Sequence, residues 1–195
     1  MTNVSQAVDI VSRVAPDLSR LGRALVVAIG GHETHWSDAF PQPDGTASYN
    51  WGAVTAGSGW KGRTFEHTDS RWTPAGNVRY VTAFRAYDST EDGARDLANL
   101  LRYQYRKAIA AADRGDWLSA AQALYDGDDA TPGGGYYSGT KPRKGAITDY
   151  YNALRVQLEA QGIPVAAVAA AGILEMLFWA GLGLLAVKKL NHGRR

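Results

Sequence analysis

Between residues 37 and 60 the chain reads SDAFPQPDGTASYNWGAVTAGSGW, and no helical or strand period survives in it. Glycine, proline, serine and aspartate punctuate the stretch so densely that it must be a long loop, and long loops inside compact domains carry function more often than packing. Everything else has to be arranged around that loop. Upstream, Val4, Ala7, Val8, Val11 and Ala15 recur at helical spacing over residues 3–15 until Pro16 interrupts them. A second helix follows, with Leu18, Leu21, Leu25, Ala28 and Ile29 on one face. Downstream, KGRTFEH and VRYVTAFRAY alternate as the two arms of a hairpin, joined by the polar stretch TDSRWTPAGN.

The remaining elements read as helices. Ser89 and Asp92 in STED have capping-box spacing, and Ala94, Leu97, Leu101 and Tyr105 continue one face beyond them. Residues 116–125, with Trp117, Ala120, Ala121 and Leu124, form a short helix, and 126–146 is a loop rich in Gly, Pro and Lys. A helix over 148–160 carries Tyr150, Tyr151, Leu154 and Leu158. Residues 161–164 form a joint. With 195 residues, 45% of them hydrophobic, the chain can bury one sizeable core over residues 1–160. Its 21 basic and 19 acidic side chains form no stripe, so no nucleic acid is expected as a partner. Cysteine is absent, which removes disulfides, thiol nucleophiles and thiolate metal ligands.

The C-terminal end has a different composition. PVAAVAAAGILEMLFWAGLGLLAV is apolar apart from Glu175, so a single transmembrane helix is expected over 165–187, followed by a basic tail over 188–195. Lys188, Lys189, Arg194 and Arg195 favour keeping that tail on the cytoplasmic side, with the large N-terminal part on the opposite face. An acid near the middle of a span is costly, so a helix partner in the membrane is expected near Glu175.

The stretch AIGGHETHW, residues 28–36, ends the second helix and concentrates the chemistry. HETH resembles a zinc-protease signature, but His32 and His35 are three apart rather than four, and no further ligand cluster stands out; no metal and no cofactor are expected. An acid role fits better. Glu33 follows Ile29 by one helical turn and so continues the inward face. Burial and the negative end of the helix both disfavour its ionised form and raise its pKa. A carboxyl that keeps its proton near neutrality can protonate a glycosidic leaving oxygen, although a glutamate merely satisfied at a helix end would look the same. Gly30 and Gly31 together suggest close approach by another backbone or a ligand. In YNWGAV, Tyr49, Asn50 and Trp51 offer two rings and an amide to a sugar. Thr64 and Glu66 share one face of a hairpin arm, opposite Phe65, and make Glu66 a candidate second carboxylate if that face lines the groove.

Taken in order, HETHW, YNWGAV, TFEH, FRAYDSTEDGARDLANLL and GGYYSG resemble the bacterial and phage peptidoglycan glucosaminidases, lysozyme-like cell-wall hydrolases. The resemblance spans roughly residues 18–160. It implies a mainly α (α+β) lysozyme-like helical domain with a small β-hairpin, with Glu33 as general acid, Glu66 as second carboxylate and Tyr136 holding the sugar or the transition state. Tyr137 is the alternative tyrosine, and Tyr49 stands where the family has an asparagine. The expected function is a membrane-anchored peptidoglycan hydrolase of N-acetylglucosaminidase type that cleaves β-1,4 bonds. The absence of a secretory signal in the first residues points to a phage virion enzyme of wall penetration, its catalytic domain facing the wall. The rivals are a lytic transglycosylase and a non-catalytic, wall-binding structural virion protein.

Overall fold

The computed structural model describes residues 2–37, 39–73, 75–128, 135–137 and 143–165. The expected span, Glu175 and the basic tail lie outside them, apart from Val165. Among the described residues no helix is long and apolar enough to cross a membrane.

Helix α1, Val4–Val14, opens on a reciprocal capping box between Asn3 and Gln6. Helix α2, Arg20–Thr34, is capped by Ser19, whose hydroxyl accepts from the Gly22 amide at 2.9 Å. It is the central element: α1, α3 (Thr90–Gln104), α4 (Arg106–Asp113) and α6 (Arg143–Ala160) all pack on it. Leu25, Val26, Val27, Ala28 and Ile29 are all buried, so this part of α2 is apolar on every side, not only on the face expected. Burying each of the larger of these side chains stabilises the fold by about 1.5–3 kcal/mol. The acid-bearing end of α2 is thereby fixed on rigid ground.

The hairpin is formed by β1, Thr64–Thr73, and β2, Gly76–Arg85, antiparallel with Thr64 opposite Arg85 and Thr73 opposite Gly76. The polar stretch expected as a connection is thus mostly strand. Alternation there leaves no apolar period to read, because both faces beyond the base are largely open to solvent. At the base, Phe65 and Phe84 form a small second core with Ala86, packed by Phe40 and Ala53.

Helix α4 was not legible in the sequence. Its N-terminus is capped from a distance by Asp128, which accepts from the Arg106 amide at 2.7 Å and the Lys107 amide at 3.1 Å. A cap 22 residues downstream leaves no local signature. Helix α5, Trp117–Asp126, matches the expected segment, while α6 begins five residues earlier than the tyrosine pattern suggested, at Arg143. After α6, Gly162 turns with φ 70° and the Ile163 amide donates back to the Leu158 carbonyl at 3.0 Å.

Candidate active site

Glu33 sits in the last turn of α2, half-buried. Tyr150 of α6 donates its hydroxyl to Glu33 Oε1 at 2.7 Å. Burial pushes the Glu33 carboxyl up to about 7; the Tyr150 hydrogen bond opposes this, and the negative charge of Asp69 adds to it. Tyr150 is itself held by a parallel stack with Tyr137, 3.8 Å between centroids at 8°, and by the edge contact of His32 at 5.1 Å. Partial burial lowers the His32 pKa, which favours a neutral ring beside the acid.

The backbone after Glu33 is unusual. His35, Trp36 and Ser37 are consecutive non-glycine residues with φ of 50°, 55° and 81°, a left-handed turn that costs of order 1–3 kcal/mol per residue. Thr34 holds it. Its hydroxyl donates to the Trp51 carbonyl at 2.7 Å and accepts from the Ser37 amide at 2.9 Å. This turn lays the Trp36 and Trp51 rings on the helix end, and the two glycines make room for them. A Cβ at Gly30 would stand 2.9 Å from the Trp51 ring, and one at Gly31 would stand 2.9 Å from Trp36 and 2.5 Å from the Gln157 amide oxygen. The close approach expected at GG is therefore made chiefly by indole rings.

Asn50 and Trp51, expected to contact a sugar, are instead both fully buried. Asn50 accepts from the Val54 amide at 2.8 Å and donates to the Val54 and Arg85 carbonyls at 3.0 and 2.9 Å, so its amide staples the loop to the base of the hairpin. Trp51 donates its indole N–H to Thr90 Oγ1 at 2.9 Å. Closed to solvent in this way, neither side chain presents a surface on which a sugar can rest. Tyr49 is half-buried with φ 52°, and its carbonyl faces Gly93 so closely that a Cβ there would overlap it. The FRAYD segment clamps the hairpin to α3: Asp96 accepts from Arg85 at 2.7 Å and from the Tyr87 hydroxyl at 2.6 Å.

The two candidate tyrosines also have defined places. Tyr136 donates its hydroxyl to the Gly52 carbonyl at 2.5 Å, and Tyr137 donates to the Ala121 carbonyl at 3.0 Å. The Tyr136 pKa is raised well above its ordinary value, first by burial and next by the Glu33 charge, so this ring belongs to the same neighbourhood as the acid. It also lines a cavity of about 590 Å³ between α3 and residues 52–60, bordered by Trp60, Arg85, Asp96 and Gln104. Glu33 does not line that cavity.

Glu66 is exposed and makes no contact with Glu33 among the hydrogen bonds of the described residues. Phe65 is the inward residue of β1, 7% exposed, so strand parity turns Glu66 to the outer, solvent-exposed face. The apolar ring of Phe65, not the polar pair Thr64 and Glu66, seats the hairpin. Sequence reasoning passed over Tyr150, which reads as an ordinary core position of α6, and Asp69, which lies in a stretch read as a connection. Among the described residues no group of His, Asp and Glu gathers as a metal site would require.

This arrangement of a helical domain, a two-stranded hairpin and an acid at a helix end is a lysozyme-like fold. A peptidoglycan hydrolase mutant from Sphingomonas sp. A1 is similar over 80% of this chain and 96% of its own, with a TM-score of 0.58 and 27% identity. A second structure of the hydrolase from that organism matches over 82% and 94%, with a TM-score of 0.52 and 27% identity. The C-terminally truncated glycoside hydrolase domain of Salmonella typhimurium FlgJ shares the fold at a TM-score of 0.51 and 20% identity, over 80% of this chain and 93% of that domain. No family model and no curated protein matches the sequence.

Proposed function

We propose that the chain is a glycoside hydrolase acting on the glycan of peptidoglycan, with Glu33 as its general acid. One observation carries this reading: a carboxyl at the end of a buried helix, held by a tyrosine hydroxyl and pushed up to about 7, keeps its proton where a leaving oxygen needs it. The likeness to the Sphingomonas hydrolases supports peptidoglycan as the substrate class. Glu33 protonates the oxygen of the scissile β-1,4 bond as that bond breaks, and Tyr150 and Tyr136 hold the acid and its surroundings in place. Tyr137 stacks on Tyr150 beside the acid, and Tyr137 and Tyr49 are partly exposed rings that we assign to sugar binding.

The finer assignment is an N-acetylglucosaminidase, supported by the ordered motifs HETHW, YNWGAV and FRAYDSTED. The apolar run over 165–187 and the basic tail support a membrane anchor with a partner near Glu175 and the domain facing the wall, as a phage virion enzyme of wall penetration would need. Detection in purified particles tests that placement, and absence from them rejects it. For the activity, the full-length protein and Glu33→Gln are incubated with purified sacculi, and the released ends are identified by mass spectrometry. Reducing N-acetylglucosamine ends that vanish with Glu33→Gln are expected. Anhydro-muramic ends would make the enzyme a transglycosylase, and no release by the wild type would reject the enzymatic reading.

A further inference from the structure

Glycoside cleavage by water needs a second group opposite the acid, either to take the proton of the water or to steady the charge that develops on the sugar. The only hairpin carboxylate expected for this from the sequence, Glu66, is turned outward. Strand β1 nevertheless presents a carboxylate on its other face. Phe65, His67 and Asp69 share that face, and the first two pack on Phe40, with ring centroids 5.3 and 5.0 Å away. Phe40 is tied to the turn that follows Glu33: its amide donates to the Ser37 carbonyl at 3.2 Å, and its carbonyl accepts from the Ser48 hydroxyl at 2.5 Å. The inward face of β1 is thus docked on the segment that leaves the acid, and Asp69 is the next inward residue beyond the dock.

Asp69 is also aimed. It lies directly opposite Tyr80 in β2, and the Tyr80 hydroxyl donates to its Oδ2 at 3.0 Å, while the Ser70 amide donates to its Oδ1 at 2.7 Å. It is half-buried, whereas Glu66 is exposed. We propose that Asp69 is the second carboxylate of the site and accepts the proton of the attacking water. The assignment rests on the hydrolase reading above. In the step, the water oxygen forms a bond to the anomeric carbon as the bond from that carbon to the leaving oxygen breaks. Glu33 gives its proton to the leaving oxygen, and Asp69 receives the proton released by the water. The products are a hemiacetal and a free hydroxyl, and the starting state returns when Asp69 gives its proton to solvent and Glu33 takes one from it. The Asp69 charge is already felt at Glu33, where it favours the protonated acid; among the described residues Tyr150 from α6 bonds the same carboxyl, Tyr136 from the segment before α6 feels its charge, and His32 packs edge-on against Tyr150.

Four full-length variants test this: Asp69→Asn, Asp69→Ala, Glu66→Gln and Glu33→Gln, each compared with wild type for thermal unfolding and for cleavage of peptidoglycan fragments. Asp69→Asn is expected to fold as wild type and to lose roughly 10²–10⁴-fold in kcat/KM, while Glu66→Gln shows no measurable loss. Azide, which attacks without giving up a proton, is expected to restore turnover to Asp69→Ala as a glycosyl azide but not to Glu33→Gln. Carbon NMR of the labelled Glu33 carboxyl is expected to titrate lower in Asp69→Asn than in wild type. An active Asp69→Asn, a loss without azide rescue, or a Glu33 titration unmoved by Asp69→Asn would each overturn the assignment while leaving the hydrolase reading intact. A wild type that cleaves nothing, with Glu33 still titrating lower in Asp69→Asn, would instead reject the hydrolase reading and with it the catalytic role of Asp69.

Discussion

The helical core and the hairpin are built to opposite specifications. Around α2, side chains such as Leu25, Ile29, Trp51, Leu97 and Leu154 are fully closed to solvent, and Glu33 stands at the edge of that packing. The hairpin is seated at its base by Phe65, Phe84 and Phe40 and by the polar ties of Arg85 to Asn50 and Asp96, and beyond this base it exposes Val78 at 44% and Val81 at 64%. An acid whose proton affinity is set by burial needs surroundings that do not breathe. The hairpin relies instead on backbone pairing, which sets the register of Asp69 against Tyr80.

The contrast can be broken most severely at Trp51. Trp51→Ala should destabilise the domain by about 3–5 kcal/mol in urea unfolding, since it empties the space that Gly30 leaves open for the ring. A smaller loss would mean that the loop collapses into the gap and the core is less rigid than its burial suggests. Glu33 tests the same region from the opposite direction. Its proton leaves near 4.5 in the unfolded chain and at about 7 in the folded one, so the folded state holds more protons between those values. Stability therefore falls as pH rises through that window and is level above it. Glu33→Gln removes this loss and should be more stable than wild type by about 3 kcal/mol at about pH 8, the difference vanishing below the unfolded value.

Tyr150→Phe sharpens the contrast further. Without the hydroxyl that favours the carboxylate, Glu33 should titrate higher, the alkaline limb of activity should move up, and stability should drop by about 1 kcal/mol. Identical pH profiles for the two proteins would show that the tyrosine only fills space. At the small end, Val81→Thr on the exposed side of β2 should change stability by no more than about 0.5 kcal/mol. A larger effect would mean that this face of the hairpin is covered in the functional protein.

What was legible in the sequence follows the same division. Period and capping revealed α1, α2, α3 and α5, because in those segments the core writes itself into the spacing of Val11, Leu25, Leu97 and Leu124. Glu33 was legible because it extends such a spacing past two glycines. The hairpin's full length, and with it Asp69, was not, since a strand exposed on both faces has no burial pattern to betray it. Helix α4 escaped because Asp128, which caps it, comes later in the chain than the helix itself. Trp51 and Asn50 look like binding residues in the sequence because a ring and an amide in a loop look alike whether they face water or the core. Only the three hydrogen bonds of Asn50 distinguish a staple from a sugar contact.

The hydrogen bond between Tyr150 and Glu33 joins residues 117 positions apart, which has a bearing on the order in which the chain is made. Glu33 leaves the ribosome early, and α6, which closes over the end of α2, is the last described helix to follow. Until α6 docks, the glutamate has neither the cover that raises its proton affinity nor the tyrosine that fixes its geometry, and at neutral pH it is an ordinary ionised carboxylate. The acid of a nascent chain is therefore not assembled until α6 is in place, a delay written into the order of the polypeptide.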